Sequence, residues 1–538
     1  MAKNQLFAKK SLQVLMDEMA GEHRLHRVLG PITLTSLGIG SIIGTGIFVL
    51  VGLVAKDLTG PALMVSFITA GIACIFAALC YAEFASMAPV AGSAYTYAYT
   101  TLGELLAWII GWDLVLEYAV AAATVAHGWS KYFQELLAVF GLEVPAIVHD
   151  APFNYDHARI AVENAAGFRD HFQNFLAHFV PTGSILDLPA LAITVALTVI
   201  LVIGIRESAG FNAAMVMVKV AVVLFVIAVG AFYINPDNWT PFAPFGYSGV
   251  SFFGQPVWGV VQEGKPVGML AGAAIIFFAY IGFDSVSTHA EEARNPRRDV
   301  PIAIIGSLLI CTVLYILVAG VLTGMVNYKD LEESAPVADA FRQAGLPWAR
   351  FVVSVGAIAG MTSVMLVSML SQPRVLLAMA RDGLLPVSFF GAVHPKFMTP
   401  WKATILTGVF VGLLGSFLPL QILAELVSIG TLLAFVIVCA AVLIMRFTNP
   451  QLERPFRAPL FPMVPLLGIA SCLLLMFSLP VENWIRLGVW LAIGFAIYFG
   501  YSRHHSHLGI QLRQEIAAHG VTPGAAPIYP PTRPDDTR

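Results

Sequence analysis

The sequence predicts an all-α integral membrane protein with twelve membrane-spanning helices, on three observations. Hydrophobic residues make up 58% of the 538 and charged residues only 12%, about half the roughly 25% typical of soluble domains. Apolar stretches recur at roughly 33–55, 61–87, 95–126, 187–205, 211–233, 268–290, 301–324, 349–380, 402–418, 421–446, 463–479 and 482–501, near the 20 or so residues that cross a bilayer. The first and the sixth of these are interrupted by glycine at mid-span, which a merely structural membrane helix does not need.

Composition also excludes function classes. A net charge of −3 argues against a nucleic-acid partner. The five cysteines (Cys74, Cys80, Cys311, Cys439, Cys472) lie in apolar stretches without a CxxC pair, so neither a disulfide framework nor a zinc site is expected. No cofactor is called for, and no residue is assigned as a metal ligand. The first thirty residues are mixed in charge and lack an apolar core, so no cleavable signal peptide is expected there.

The N-terminal segment (1–30) is read as cytoplasmic. Within it SLQVLMDEM (Ser11–Met19) has helical apolar spacing behind a Ser11 cap, flanked by Lys9 and Lys10; it predicts an interfacial helix or a solvated stub. An even number of spans puts both termini on one side. Twenty of the thirty Lys and Arg fall on that side, nine on the other, and Lys219 alone lies in a span. Positive charge in excess marks the cytoplasm, so both termini are predicted to be cytoplasmic.

The first span contains GIGSIIGTGIF, with Gly38, Gly40, Gly44 and Gly46. Each glycine costs a helix about 1 kcal/mol, and unwound backbone at membrane depth is tolerated only in a cavity or inside protein. The sixth contains FFAYIGFDSVSTHAEE (Phe277–Glu292), with Gly282 next but one to Asp284. Two broken spans five apart suggest two five-helix repeats of inverted topology followed by two further helices. Domain limits follow: a transporter domain 31–502, with a first repeat at 31–233, a second at 268–446 and extra helices at 463–501. Half-helix starts at the breaks would attract a carboxylate, and freed carbonyls an ammonium; a zwitterionic amino acid meets both demands. Either break alone is also explained by close helix packing; the matched pair favours a site.

The loop 127–186, on the side away from the termini, is long and carries His127, His149, His157, His171 and His178 without a tight pair. Scattered surface histidines are the plainer reading of these. The tail 503–538 (ending APIYPPTRPDDTR) is polar and proline-rich, and is expected to be disordered.

Ionisable residues inside spans are functional by default. Lys219, mid-span in NAAMVMVKVAVVLFVIAVG, needs oxygen partners, which a helix break supplies. Asp113 and Glu117 share one helix face and suit a proton carrier, as does Asp284 at the second break; a satisfied structural hydrogen bond is the alternative for each. Glu83, Glu291 and Glu292 lie near cytoplasmic ends, where ion pairs with Arg294, Arg297 or Arg298 are expected. Glu425 fits an outer gate or the start of its own helix equally well.

Four stretches then resemble one family: LHRVLGPITLTSLGIGSIIGTGIFVLVG (Leu25–Gly52), PVAGSAYTYAYTTLGELLAWIIGWDLVLEY (Pro89–Tyr118), FFAYIGFDSVSTHAEEARNPRRDVPIAI and RVLLAMARDGLLP (Arg374–Pro386). They resemble the amino acid–polyamine–organocation superfamily, and within it the bacterial branch of the cationic amino acid transporter family. The resemblance covers nearly all of 10–502 and implies a leucine-transporter-like fold. It implies a carboxylate cradle at Ile42, Gly44, Thr45 and Gly46, and ammonium and side-chain contacts at Phe278, Ala279 and Ile281. It implies that Lys219 stands in a sodium ion's place, that Glu117 and Asp284 couple protons, and that Met361 limits side-chain length, which favours small or medium neutral substrates.

The expected function is import of L-amino acids across the cytoplasmic membrane by proton-coupled symport. The alternatives are an amino acid exchanger and a carrier of cationic amino acids such as arginine or lysine. An enzyme is not expected, since no HExxH, carboxylate cage or nucleophile–base pair appears. Two matched breaks also fit a transporter better than a channel's symmetric pore. The partners implied are an amino acid, protons and the lipid bilayer.

Overall fold

The computed structural model describes residues 5–10, 29–87, 93–155, 179–204, 208–252, 255–262, 265–290, 293–332, 334–397, 399–479 and 481–519. The expected interfacial helix at Ser11–Met19 lies outside these residues, as do His157, His171, His178, Glu291 and Glu292.

Apolar sequence without polar periodicity folds here into helices that bury backbone polarity within themselves, as a bilayer requires. In chain order they are α1 (Pro31–Ile42), α2 (Leu63–Met87), α3 (Ser93–Thr101), α4 (Glu104–Val139), α5 (Leu188–Ile203), α6 (Ser208–Gly230), α7 (Met269–Ile276), α8 (Pro296–Met325), α9 (Pro347–Arg381), α10 (Trp401–Phe417), α11 (Leu420–Thr448), α12 (Met463–Phe477), α13 (Val481–Ile497) and α14 (His507–His519). Among the described residues, eight helical stretches are long and apolar enough to cross a membrane, and α1, α5, α10 and α12 are shorter apolar helices. Proline occupies the first turn of α1, α5, α8 and α9, where its missing N–H costs nothing.

Both expected interruptions are present. Helix α1 stops at Ile42; Ile43 is extended, with φ −74° and ψ 102°. Helical winding resumes around Thr45, in wide turns over Gly46–Leu50 and Ala55–Thr59 on either side of Val51–Val54. Helix α7 tightens over Phe277–Tyr280, breaks at the extended Ile281 (ψ 136°), and resumes only as Ser285–Thr288. Between these, Gly282 takes φ +114°, a conformation in which a side chain is strained. The centre of the bundle is built on α4, which packs extensively against α9 and α11, while α8 lies along α2 and α1.

Three expectations need correction. The long loop does not begin at His127: α4 continues to Val139, so His127 is a buried helical residue. The connections also hold three two-stranded antiparallel ribbons, Phe153–Tyr155 with Phe179–Pro181, Val250–Phe252 with Gln255–Trp258, and Val260–Gln262 with Lys265–Val267. Finally, the tail does not lose order at 503, because helical winding continues through Tyr498–Ser502 and Arg503–His505 into α14. The buried Glu104 holds it there: its carboxylate accepts hydrogen bonds from Tyr99 (3.1 Å), Tyr498 (2.9 Å), Gln5 (3.1 Å) and the Ser506 hydroxyl. Gln5 and Ser506, far apart in the chain, thus meet at the start of α4. Proline content signalled disorder for 520–538, which lie outside the described residues.

Candidate binding site at the two helix breaks

The end of α1 leaves carbonyl oxygens without intrahelical partners, each worth about 1–3 kcal/mol if buried unmet. Two other helices meet them. The Lys219 ammonium, fully buried on α6, donates to the Gly40 carbonyl and, at 3.1 Å, to that of Ile43. The Tyr315 hydroxyl on α8 lies 2.9 Å from the Ile42 carbonyl and 2.9 Å from that of Ala279 in the second break. One hydroxyl therefore joins the two breaks. A cation at a helix carboxyl end also opposes the negative end of the helix dipole.

The breaks are in direct contact. A Cβ on Gly46 would lie 2.4 Å from the Ala279 Cα, and one on Gly282 would lie 2.7 Å from the Ser41 carbonyl oxygen. Glycine is required at both places because backbone meets backbone there. The Ser285 hydroxyl ties the same pair of segments, 2.9 Å from that of Ser41 and 2.6 Å from the Gly282 carbonyl.

Between the breaks lies a small cavity of about 30 Å³, which must open further to hold a small molecule. Ser41, Ile42, Gly44, Thr45 and Gly46 line it from the first break and Phe278, Ile281, Gly282 and Ser285 from the second. Tyr118, Ala121 and Val125 of α4 and Val364, Val367 and Ser368 of α9 complete the wall, and no ionisable carboxylate, lysine or arginine is among them. The buried Thr45 hydroxyl has no hydrogen-bond partner among the described residues, as befits a group aimed at a ligand.

Six of the eight expected contact residues line this cavity. Ala279 does not; it supports Gly46 from behind, its carbonyl held by Tyr315. Met361 does not either: it is fully buried, its sulfur against Gly128. One helical turn further along α9, Val364 takes the place expected for it at the wall.

Of the acids, Asp284 lies just beyond the cavity and accepts a 3.0 Å hydrogen bond from Tyr118, whose ring lines it. Glu117 precedes Tyr118 and is close enough to Asp284 and Asp113 for their charges to interact. All three carboxyl groups are buried, and Asp113 Oδ1 and Oδ2, Glu117 Oε1 and Asp284 Oδ1 have no hydrogen-bond partner among the described residues. Asp113 rests on Gly430 of α11.

The gate residues sort differently from expectation. Glu83 pairs not with Arg294, Arg297 or Arg298 but with Arg446, through bonds of 2.8 and 2.5 Å, with Arg454 3.4 Å away. Arg297 instead meets the exposed Glu453 at 3.5 Å. Glu425 lies 3.7 Å from Arg486 of α13. Sequence reading missed Tyr315, Ser285 and Tyr118. A hydroxyl inside an apolar helix is common and carries no spacing signal, so only the fold reveals what it joins.

Known proteins fit this architecture. A methylthioribose transporter of Bacillus subtilis (strain 168) is 44% identical over 503 residues, covering 94% of this chain and 99% of that protein. The branched-chain amino acid permease BcaP of the same organism is 45% identical over 507 residues, covering 94% and 99%. The vacuolar cationic amino acid transporter 4 of Arabidopsis thaliana is 38% identical over 439 residues, covering 80% of this chain and 65% of its own. Residues 29–497 match the family described as amino acid permease. This chain belongs to that family of multi-pass membrane transporters and is a transporter rather than an enzyme.

Proposed function

We propose that this protein imports small and medium neutral L-amino acids through the cytoplasmic membrane by proton symport, with alternating access to the cavity between the breaks. The observation that carries the reading is the lining of that cavity. Gly44, Thr45 and Gly46 stand at a helix start, where unpaired N–H groups suit a carboxylate. A substrate ammonium would share the carbonyl oxygens at the end of α1 with Lys219 and Tyr315, through their second lone pairs. The far wall is Ala121, Val125, Ile281, Val364 and Val367, which suits an aliphatic side chain and gives a cationic one no counter-charge. The branched-chain relative supports this reading, and the apolar wall speaks against a cationic substrate. The methylthioribose relative favours a second reading, because Ser41, Thr45, Ser285 and Ser368 hydroxyls could also serve a sugar.

In this reading the chain crosses twelve times as two inverted five-helix repeats plus two helices, with both termini cytoplasmic. Lys219 holds the first break in a sodium ion's place, and Glu117 and Asp284 exchange the coupled proton. Uptake into proteoliposomes tests it, with labelled valine, leucine, alanine, arginine, lysine and methylthioribose, with and without an inward proton gradient. Neutral amino acids should win and the gradient should accelerate them. Arginine or lysine winning would overturn the substrate class. Uptake that requires internal amino acid and ignores pH would replace symport with exchange.

A further inference from the structure

Toward the end of α4 opposite Glu104, three segments converge on one point. His127 comes from the last third of α4, Asp150 from the loop after it, and Asp187 from the cap of α5. One ligand atom from each can be chosen so that all lie within 4.8 Å of one another. The His127 Nδ1 is 3.6 Å from Asp187 Oδ2, and its Nε2 is 3.6 Å from Asp150 Oδ1.

Those separations are informative. Hydrogen bonds between nitrogen and oxygen lie near 2.7–3.2 Å, and 3.6 Å is outside that range. His127 Nδ1 and Asp187 Oδ2 are buried and have no hydrogen-bond partner among the described residues, although leaving such atoms unmet is costly. Yet 3.6 Å is the gap expected between two ligands of one ion. With bonds of about 2.1 Å to each, the angle at the metal is about 118°, close to tetrahedral. The remaining oxygens are already committed to positioning. Asp187 Oδ1 accepts from the Ser130 hydroxyl (2.6 Å) and the Ala190 N–H (3.0 Å), Asp150 Oδ2 from Lys131 (2.8 Å), and Asp150 Oδ1 from the Ala151 N–H (2.8 Å), which leaves that oxygen a second lone pair. Such outer partners are what orient metal-binding carboxylates.

We propose that His127, Asp150 and Asp187 form a binding site for a divalent transition-metal ion of the zinc class, fastening the loop and the start of α5 to α4. The imidazole nitrogen selects against magnesium and calcium, which prefer all-oxygen shells. One ion cannot use both ring nitrogens, so seating at Nδ1 draws Asp150 inward by up to about 1.4 Å from the 4.8 Å limit. Asp150 is on a loop with its side chain 27% exposed, and the shift would have to carry its bonds to Lys131 and the Ala151 N–H along or loosen them.

The test is zinc titration of the purified full-length protein in detergent, read by equilibrium dialysis and by thermal unfolding. One saturable zinc per chain at this site, a raised unfolding temperature and no such effect of magnesium are expected. His127→Gln and Asp150→Asn should each weaken that binding at least tenfold; both spare the Asp187 cap, so a folded protein is expected. Zinc K-edge absorption on the unaltered protein gives an independent reading, one imidazole with oxygen ligands. No zinc bound at 100 µM, binding held within threefold in either variant, or a shell of two or more imidazoles would each overturn the site.

Discussion

Substituting glycine by alanine at three positions in and before the first break tests whether the contact between the breaks is what makes the site. An added Cβ at Gly46 would sit 2.4 Å from the Ala279 Cα and 2.5 Å from its Cβ, against an ordinary contact of 3.4 Å or more. Neither atom belongs to a flexible side chain, so the two breaks must separate by about 1 Å. An ångström of misplacement in a preorganised site is worth on the order of a hundredfold in rate. At Gly44 the nearest atom is the Val364 Cγ2 at 3.1 Å, which needs about 0.3 Å and has a side chain that can yield. At Gly30, just before α1, nothing lies within 4 Å. Initial rates of uptake in proteoliposomes should therefore fall about a hundredfold for Gly46→Ala, severalfold for Gly44→Ala, and hardly at all for Gly30→Ala. Size-exclusion profiles should stay monodisperse, because the strain is confined to the cavity. Wild-type rates for Gly46→Ala, or equal losses at all three positions, would refute the argument from close approach.

Three further outcomes follow from the same geometry. Lys219→Ala removes two bonds from a charged donor, each worth about 1.5–3 kcal/mol, so uptake should drop to the level of empty vesicles; normal uptake would remove Lys219 from the mechanism. Glu117→Gln should leave some counterflow of amino acid but abolish its acceleration by an imposed proton gradient, measured by comparing uptake at symmetric and stepped pH. Glu83→Gln strands a largely buried Arg446, and breaking such a pair costs about 3–5 kcal/mol; the unfolding temperature in detergent should fall markedly, whereas Glu453→Gln at the exposed pair should leave it unchanged.

Much of this site was legible in the sequence because it announces itself by violating the pattern around it. Four glycines in an apolar run, a lysine at mid-span and a glycine next but one to an aspartate are each expensive in a membrane, and each lies where the fold needs it. Gly44, Gly46 and Gly282 stood out for that reason, whereas Ile281 came only from the family resemblance. Met361 was misplaced because a family position fixes a helix and an approximate depth, but one turn of α9 decides which side chain reaches the wall. The Glu83 partners were misjudged because Arg294, Arg297 and Arg298 were expected at the same end of the bundle, and nothing local marked Arg446 of α11 as the one that reaches it. His127 looked like a loop residue because polar neighbours lower hydropathy at the end of α4, where helical winding continues. Its approach to Asp150 and Asp187 had no local signature at all, since the three come from separate segments.

The proposed standing of Lys219 in an ion's place would have a consequence for coupling. A bound sodium ion can leave in each cycle and so transmit its gradient, but Lys219 is covalently held and its bonds to Gly40 and Ile43 are made within the chain. It stabilises the break without carrying any gradient. Symport then requires another group whose charge changes between the two orientations, and a ligand can shift a conformational equilibrium only by its differential affinity for the two states. The carboxyl groups of Glu117 and Asp284 meet the positional requirement, because Tyr118 touches the cavity on one side and Asp284 on the other. In the proposed mechanism, closing the wall around a substrate would move the Tyr118 ring, and with it a donor to Asp284. Tyr118→Phe keeps the ring and removes that donor. If this hydroxyl is the link, the variant should still bind substrate with near-normal affinity while losing the dependence of uptake on the proton gradient; a loss of affinity with the gradient response intact would place the link elsewhere.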